Sequence, residues 1–137
     1  MTIKTGRFSE LEADIRFVRD GVFVDEQGWS AAEVYDEEDH SCVQAVAYRG
    51  DDPVGVARCW FDGGWHVGRV GVLREFRGRH IGVKIMQAVM EHIASLGGTE
   101  IHLHSQVERQ GFYEGLGFEV CGDVYLQGKI EHVPMKR

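Results

Sequence analysis

The stretch that most constrains the fold is the turn Arg77-Gly-Arg-His-Ile-Gly82. A run typical of a β-strand, His66 to Leu73, leads into this turn, and a long amphipathic helical pattern follows it. A glycine-containing turn between a strand and a helix exposes several unpaired backbone N–H groups at the positive end of the helix dipole. The turn therefore predicts a binding site for an anion.

The local charge indicates that this anion is a phosphate. The segment 74–84 holds a single acid, Glu75, beside four cations, although the whole chain carries a net charge of −7; the cations are Arg74, Arg77, Arg79 and Lys84. The segment lacks the Gly-Lys-Ser/Thr ending of a nucleotide-hydrolase phosphate loop, and Gly78 and Gly82 do not complete a dinucleotide fingerprint. Taken alone, these residues are also compatible with an ordinary surface turn.

The composition is that of an ordinary globular protein. A chain of 137 residues with 43% hydrophobic and 27% charged residues predicts a single domain over 1–137. No apolar run approaches a membrane span and no charged-then-apolar leader is visible, so we expect a cytoplasmic protein without membrane contact. Cys42, Cys59 and Cys121 are odd in number and far apart, which favours reduced thiols. The acidic balance disfavours nucleic acid and favours cationic partners such as amines.

Hydrophobic periodicity predicts the element order βαβββαβαββ, which indicates an α/β fold with a mixed sheet. Ser9 and Glu12 have the spacing of a capping box and predict the start of the first helix. A second helix is expected from His80 to Leu96, and the strand after it, Glu100 to His104, is expected to pair in parallel through a crossover. A terminal hairpin should turn at Gln127 to Lys129.

The segment Ser30 to His40 is rich in acidic residues. Its spacing is not that of a calcium loop and it has no glycine at the turn position, so we expect no metal there. A run of this kind is typical of a solvated loop, and that is the interpretation the sequence favours.

Several of these features together resemble one family. Val70-Gly-Val-Leu73, the turn after it, the box Phe112-Tyr-Glu-Gly-Leu-Gly-Phe118 and the element order resemble the GNAT superfamily of acetyl-CoA-dependent N-acetyltransferases. The segments Val18 to Gly28 and Gly128 to Met135 resemble a branch of small bacterial members, so the resemblance covers nearly the whole chain. It implies a GNAT-type acyl-CoA N-acyltransferase fold, in which a mixed, mostly antiparallel sheet is flanked by helices.

The resemblance also implies how acetyl-CoA is held, without a metal. The backbone N–H groups of Gly78 to Val83 would bind the pyrophosphate of coenzyme A. The strand edge from Val70 to Val72, opened by a bulge, would pair with the amides of the pantetheine arm as with an added strand. The implied cofactor-binding residues are Val70, Gly71, Val72, Arg77, Gly78, Arg79, His80, Ile81, Gly82, Val83 and Gln106.

His80 departs from the family pattern Arg/Gln-x-x-Gly-x-Gly, since it stands at the first glycine. A positive φ at this position would cost a histidine about 1–2 kcal/mol. A protonated imidazole beside a phosphate would in contrast be favourable. We expect the cofactor site to be retained.

Acetyl transfer from a thioester to an amine needs a neutral amine, a polarised carbonyl and a protonated leaving thiolate. Tyr113 matches the family tyrosine that serves as the general acid for the thiol; the alternative is a core aromatic residue. A backbone N–H near Val72 would polarise the carbonyl. His66 and His132 rank level as candidates for the base, because an imidazole suits proton abstraction near neutral pH. Glu26 is a third candidate for contact with the acceptor.

The expected function is transfer of acetyl from acetyl-CoA to a primary amine of a small molecule, by direct attack in a ternary complex. A protein N-terminus or lysine is the alternative acceptor. A non-catalytic acyl-CoA-binding module is the alternative of another class. The resemblance is also compatible with a homodimer.

Overall fold

The computed structural model describes residues 1–137. It contains four α-helices: α1 (Phe8–Arg19), α2 (Ala31–Val34), α3 (Ile81–Ser95) and α4 (Gln110–Glu114). The eight strands are β1 (Thr2–Gly6), β2 (Val43–Arg49), β3 (Asp52–Phe61), β4 (Trp65–Val72), β5 (Ile101–Gln106), β6 (Glu119–Val120), β7 (Tyr125–Gln127) and β8 (Ile130–Lys136). Helix α1 continues into a π-helical segment, Asp20–Glu26.

All eight strands form one sheet, in the order β1-β2-β3-β4-β5-β8-β6, with β7 also paired to β8. Every pair is antiparallel except β4 and β5, which α3 connects as a parallel crossover. The predicted α/β fold with a mixed, mostly antiparallel sheet is confirmed. Its helices pack on both faces: Ile85 and Ile93 of α3 are fully buried on one, and Ile15 and Val18 of α1 on the other.

The element order differs from the prediction at two places. The short helix α2 forms inside the acidic segment, where Ser30 caps it and accepts a hydrogen bond from the Glu33 N–H at 3.2 Å. The first strand of the terminal hairpin is divided into β6 and β7. Pro134 of β8 has no N–H to donate, and the ladder is interrupted beside it between Val120 and Tyr125.

The predicted start of α1 is wrong. The helix begins at Phe8, and the carboxylate of Glu10 accepts a hydrogen bond from the Arg7 N–H at 2.8 Å. Glu12 cannot complete a box with Ser9, because its carboxylate pairs with Arg16 one turn further along at 2.8 Å.

The acidic segment is not a solvated loop at Asp36 and Asp39, so that interpretation is wrong for these residues. Asp39 is 1% exposed and receives hydrogen bonds from Arg19 at 2.9 and 2.8 Å and from Arg58 at 2.9 Å. Asp36 receives two from Arg58, at 2.7 and 3.0 Å. The segment is held to the sheet by arginines from α1 and β3.

None of the four helices is both long and apolar enough to cross a membrane. All three cysteines are free thiols; Cys42 and Cys59 are buried and Cys121 is exposed.

Candidate active site

Strands β4 and β5 separate soon after they begin. Only two residue pairs join them, Trp65 with Ile101 and His66 with His102. Beyond these pairs, the β4 edge from Val67 to Val72 lines a cavity of about 730 Å³. The cavity thus lies between two parallel strands, one of which presents free backbone groups.

A bulge in β4 accompanies this separation. The register with β3 passes from Val56 opposite Gly71 to Arg58 opposite Gly68, which leaves Arg69 and Val70 facing Ala57. Arg69 has a positive φ of 52°, typical of the extra residue in such a bulge. Residues of β4 on both sides of the bulge, from Val67 to Val72, line the cavity.

The turn before α3 carries a row of free donors. The N–H groups of six consecutive residues, Gly78 to Val83, have no hydrogen-bond partner within the chain, and no side chain caps the helix. Gly78 has a φ of 78° and His80 a φ of 61°. The φ of His80 is therefore positive. This left-handed conformation is free of strain for a glycine and strained for a histidine. Such a row of free N–H groups at the positive end of a helix dipole suits an anion such as a phosphate group.

The side chain of Arg77 is directed to another partner. Its guanidinium forms two hydrogen bonds with the carboxylate of Glu26, at 2.6 and 2.5 Å, and its Nε donates to the Val72 carbonyl at 2.9 Å. The hydrogen bonds from Arg77 hold the pKa of Glu26 below its usual range. Glu26 is thus occupied at the end of the π-helical segment, and Arg77 joins that segment to β4 and the turn.

Tyr113 lies on α4, with 8% of its surface exposed, and lines the cavity. The hydroxyls of Tyr35, Tyr48 and Tyr125 are hydrogen-bonded within the chain, whereas that of Tyr113 is not. Burial raises the pKa of Tyr113, so the hydroxyl stays protonated and can donate to a group that enters the cavity.

The two candidate bases differ in position. His132 on β8 lines the cavity, and its Nδ1 donates to the Ile130 carbonyl at 2.9 Å. A carbonyl oxygen only accepts, so in the neutral ring Nε2 carries the lone pair. His66 is not among the residues that line the cavity. Its Nε2 donates to the Asp62 carbonyl at 3.1 Å, and its ring stacks on Trp60 with centroids 5.5 Å apart.

Gln106 is the last of the predicted cofactor-binding residues in chain order. It lies at the end of β5, and its side-chain amide donates to Gln27 at 2.8 Å; the same Gln27 oxygen accepts from the Trp29 indole at 3.0 Å. The structure brings nearly all predicted site residues to one cavity; those that line it are Val70, Gly71, Val72, Arg77, Gly78, His80, Ile81, Gly82, Val83, Gln106, Tyr113 and His132. Arg79 and His66 lie outside its lining.

The sequence analysis missed the residues of the other cavity wall. They include Trp29 and Trp60, the paired residues Asp36, Arg58 and Arg69, and Tyr125, whose ring stacks on His132 with centroids 5.8 Å apart. Their spacing carries no signal, since they come from five separate segments that only the fold brings together. The positive φ of Arg69 was equally invisible, because glycine is the usual sign of such a bulge.

The comparisons with known proteins agree with this geometry. The profile of the acetyltransferase (GNAT) domain matches residues 20–137. The N-acetyltransferase YjcF of Bacillus subtilis is 32% identical over 126 residues, which cover 90% of each chain. Among solved structures, Escherichia coli ElaA has a TM-score of 0.90 and 26% identity, covering 100% of this chain and 99% of that one. An acyl-CoA N-acyltransferase from Pseudomonas aeruginosa has a TM-score of 0.88 and 25% identity, covering 99% and 98%.

A separated pair of parallel strands beside a helix N-terminus with free donors defines an acyltransferase of the GNAT type. The chain belongs to the GNAT acetyltransferase family.

Proposed function

We propose that this enzyme transfers acetyl from acetyl-CoA to the primary amine of a small molecule, by direct attack in a ternary complex. The observation that carries the proposal is the single cavity that holds the β4 edge, the Tyr113 hydroxyl and the His132 imidazole together. Acetyl transfer to an amine requires an acyl carrier, an acid and a base within one water-limited space.

Coenzyme A would supply the activated thioester. Six free N–H groups from Gly78 to Val83 suit its pyrophosphate, and the positive end of α3 favours the negative charge. The free edge of β4 from Val70 to Val72 suits the two amides of the pantetheine arm. Gln106, opposite this edge at the end of β5, offers a further amide.

The chain's own residues would then handle the protons. Nε2 of His132, with its lone pair free, takes a proton from the ammonium of the acceptor and leaves a neutral amine. The neutral amine attacks the thioester carbonyl, a C–N bond forms and the C–S bond breaks. Tyr113 donates its proton to the departing thiolate, because burial keeps the hydroxyl protonated, and the proton that the nitrogen loses as the amide forms restores the hydroxyl. His66 is the weaker candidate for the base, since it does not line the cavity.

The wall of the cavity supports a small acceptor over a polypeptide. Trp29 packs so closely on the β7–β8 turn that a Cβ at Gly128 would lie 2.8 Å from its ring. Its indole also lies 6.3 Å from the ring of His132, and Gln27 beside it bonds to Gln106. The segment between α1 and α2 thereby bridges the terminal hairpin and β5, and this closed wall beside His132 suits a compact acceptor.

A screen of primary amines, read by release of the coenzyme A thiol, tests the proposal. We expect turnover with a small amine and none with peptides that present a free N-terminus or lysine. Acetyl-CoA should also raise the unfolding temperature, because a ligand at a hundred times its dissociation constant adds about 2.7 kcal/mol of stability. Turnover of peptides alone would contradict the choice of acceptor. Absence of stabilisation by acetyl-CoA would contradict the donor.

A further inference from the structure

Arg69 occupies a position that normally belongs to glycine. It is the first of the two β4 residues that face Ala57 across the bulge, and its φ is 52°. Glycine is usual at this place in a bulge because the left-handed conformation is strained for a residue with a Cβ. An arginine at this position indicates that the interactions of its side chain offset the backbone strain.

The guanidinium of Arg69 reaches across to the end of α2. Its Nε donates to the Val34 carbonyl at 2.9 Å, and one Nη donates to the Glu33 carbonyl at 3.2 Å and to Asp36 at 3.3 Å. The last carbonyls of a helix have no partner within it, so Arg69 caps α2 from outside. Burial lowers the pKa of Arg69, and Arg58 lowers it further, yet the guanidinium stays charged.

The same segment is also tied to the neighbouring strand. Asp36 forms two hydrogen bonds with Arg58 of β3, which lies next to the bulge in the register. Residues 33–36 are therefore fixed to both strands at one point. Glu33, Val34 and Asp36 line the active-site cavity, as do Val70 to Val72, the residues that follow Arg69.

We propose that Arg69 is a positioning residue for acyl transfer, which fixes the acceptor wall at residues 33–36 relative to the thioester edge at Val70 to Val72. The amine and the thioester carbonyl react only when they are held about 3–3.5 Å apart, and a shift of about 1 Å costs roughly 10²-fold in rate. The side chain acts through the backbone on either side of the cavity. The inference rests on the proposed acetyl transfer, whichever small amine is the acceptor.

The test compares Arg69→Gly, Arg69→Ala and Arg69→Lys, with Arg49→Ala as a matched loss of an exposed arginine on β2. The glycine variant removes the guanidinium and relieves the φ strain at once. It should lower kcat by about 10²-fold, while the dissociation constant for acetyl-CoA and the unfolding temperature stay close to those of the wild type. The lysine variant should recover part of the rate, and guanidinium ions at low concentration should recover part of it in the glycine variant.

Amide hydrogen exchange provides a readout that needs no turnover. In Arg69→Gly, exchange should accelerate at residues 33–36 and 70–72 and stay unchanged in α3. Wild-type kcat in the glycine variant, or unchanged exchange at these two segments, would overturn the proposal. Joint loss of stability, acetyl-CoA binding and rate would also overturn it, because Arg69 would then be a structural brace alone. A wild-type enzyme without turnover contradicts the proposed function, while hydrogen exchange still decides the role of Arg69.

Discussion

Glu26 and Arg77, which lie 51 positions apart in the sequence, form a two-fold hydrogen-bonded ion pair at 2.6 and 2.5 Å. The pair joins the π-helical segment after α1 to the turn before α3. Since Arg77 also donates to the Val72 carbonyl, one guanidinium holds the β4 edge and the turn before α3 in a fixed relation.

Glu26→Gln should destabilise the protein by about 1–3 kcal/mol, since a hydrogen bond between charged groups is lost. The pKa of Glu26 lies below its ordinary value of 4.5 in the folded state, so its contribution is present above that pH and disappears as pH falls through the folded pKa. Urea unfolding at neutral and acidic pH measures this. Glu91→Gln, on the exposed surface of α3, is the matched control. An equal loss in both variants at neutral pH would contradict the role of the pair.

His80→Gly should stabilise the protein by about 0.5–1 kcal/mol. Relief of left-handed strain contributes about 1–2 kcal/mol, and the more flexible unfolded chain offsets about 0.4–1 kcal/mol of it. Gly78→Ala, in the same turn with a φ of 78° and open space around it, should destabilise instead. Urea unfolding of both variants checks the signs. A less stable glycine variant that also binds acetyl-CoA more weakly would identify the imidazole as a phosphate ligand.

Tyr113→Phe should lower kcat by about 10²–10⁴-fold, the usual effect of losing a general acid. The hydroxyl has no partner in the chain, so its removal strands no other group and the fold should hold. Stabilisation by acetyl-CoA in a thermal melt should therefore persist. Because burial raises the pKa of Tyr113, the wild-type rate should show no alkaline decline from its ionisation in the ordinary assay range. Unchanged turnover would remove Tyr113 from the mechanism.

His132→Gln and His66→Gln form a matched pair that separates the two candidate bases. Loss of the base should lower kcat/KM by about 10²–10⁴-fold, and we expect this only for His132, whose ring lines the cavity. The reverse ranking of the two variants would assign the base to His66.

Asp39→Asn should destabilise the protein by about 3–5 kcal/mol, because it leaves Arg19 and Arg58 buried without their carboxylate. Burial alone would raise the pKa of Asp39, but hydrogen bonds and charge from the two arginines outweigh it and hold the pKa at about 2. The contribution is complete above pH 4 and is lost towards pH 2. Urea unfolding should therefore show the gap between wild type and variant narrowing in acid. Glu38→Gln, on the exposed neighbour, should be nearly neutral.

The sequence predicted those features that depend on residues adjacent to one another in the chain. The turn at Gly78 to Val83 was recognisable because a strand, glycines and a helix follow one another, and the structure has these free donors at that place. The burial of Asp39 was not recognisable, because Arg19 and Arg58 lie twenty and nineteen positions away along the chain. The composition of an acidic run does not indicate whether its carboxylates are solvated or paired with distant arginines.

Competing hydrogen bonds of neighbouring side chains account for the difference at the start of α1. Ser9 and Glu12 have the spacing of a capping box, but Glu12 forms an ion pair with Arg16. Glu10 instead accepts a hydrogen bond from the Arg7 N–H, so the helix starts earlier. His66 and His132 were equivalent as letters in the sequence. They differ in whether the folded chain places the residue at the cavity, as it does for His132 and not for His66.

The sparse pairing of β4 with β5 has a mechanical consequence. With two residue pairs at their meeting point, the sheet is a pair of half-sheets joined by a narrow seam and by the crossover through α3. A pantetheine arm lying along β4 would act as an added strand in that gap, so that bound coenzyme A would supply backbone pairing that the chain itself lacks there. The sheet would therefore be extended by a strand that arrives and leaves with the cofactor in each catalytic cycle.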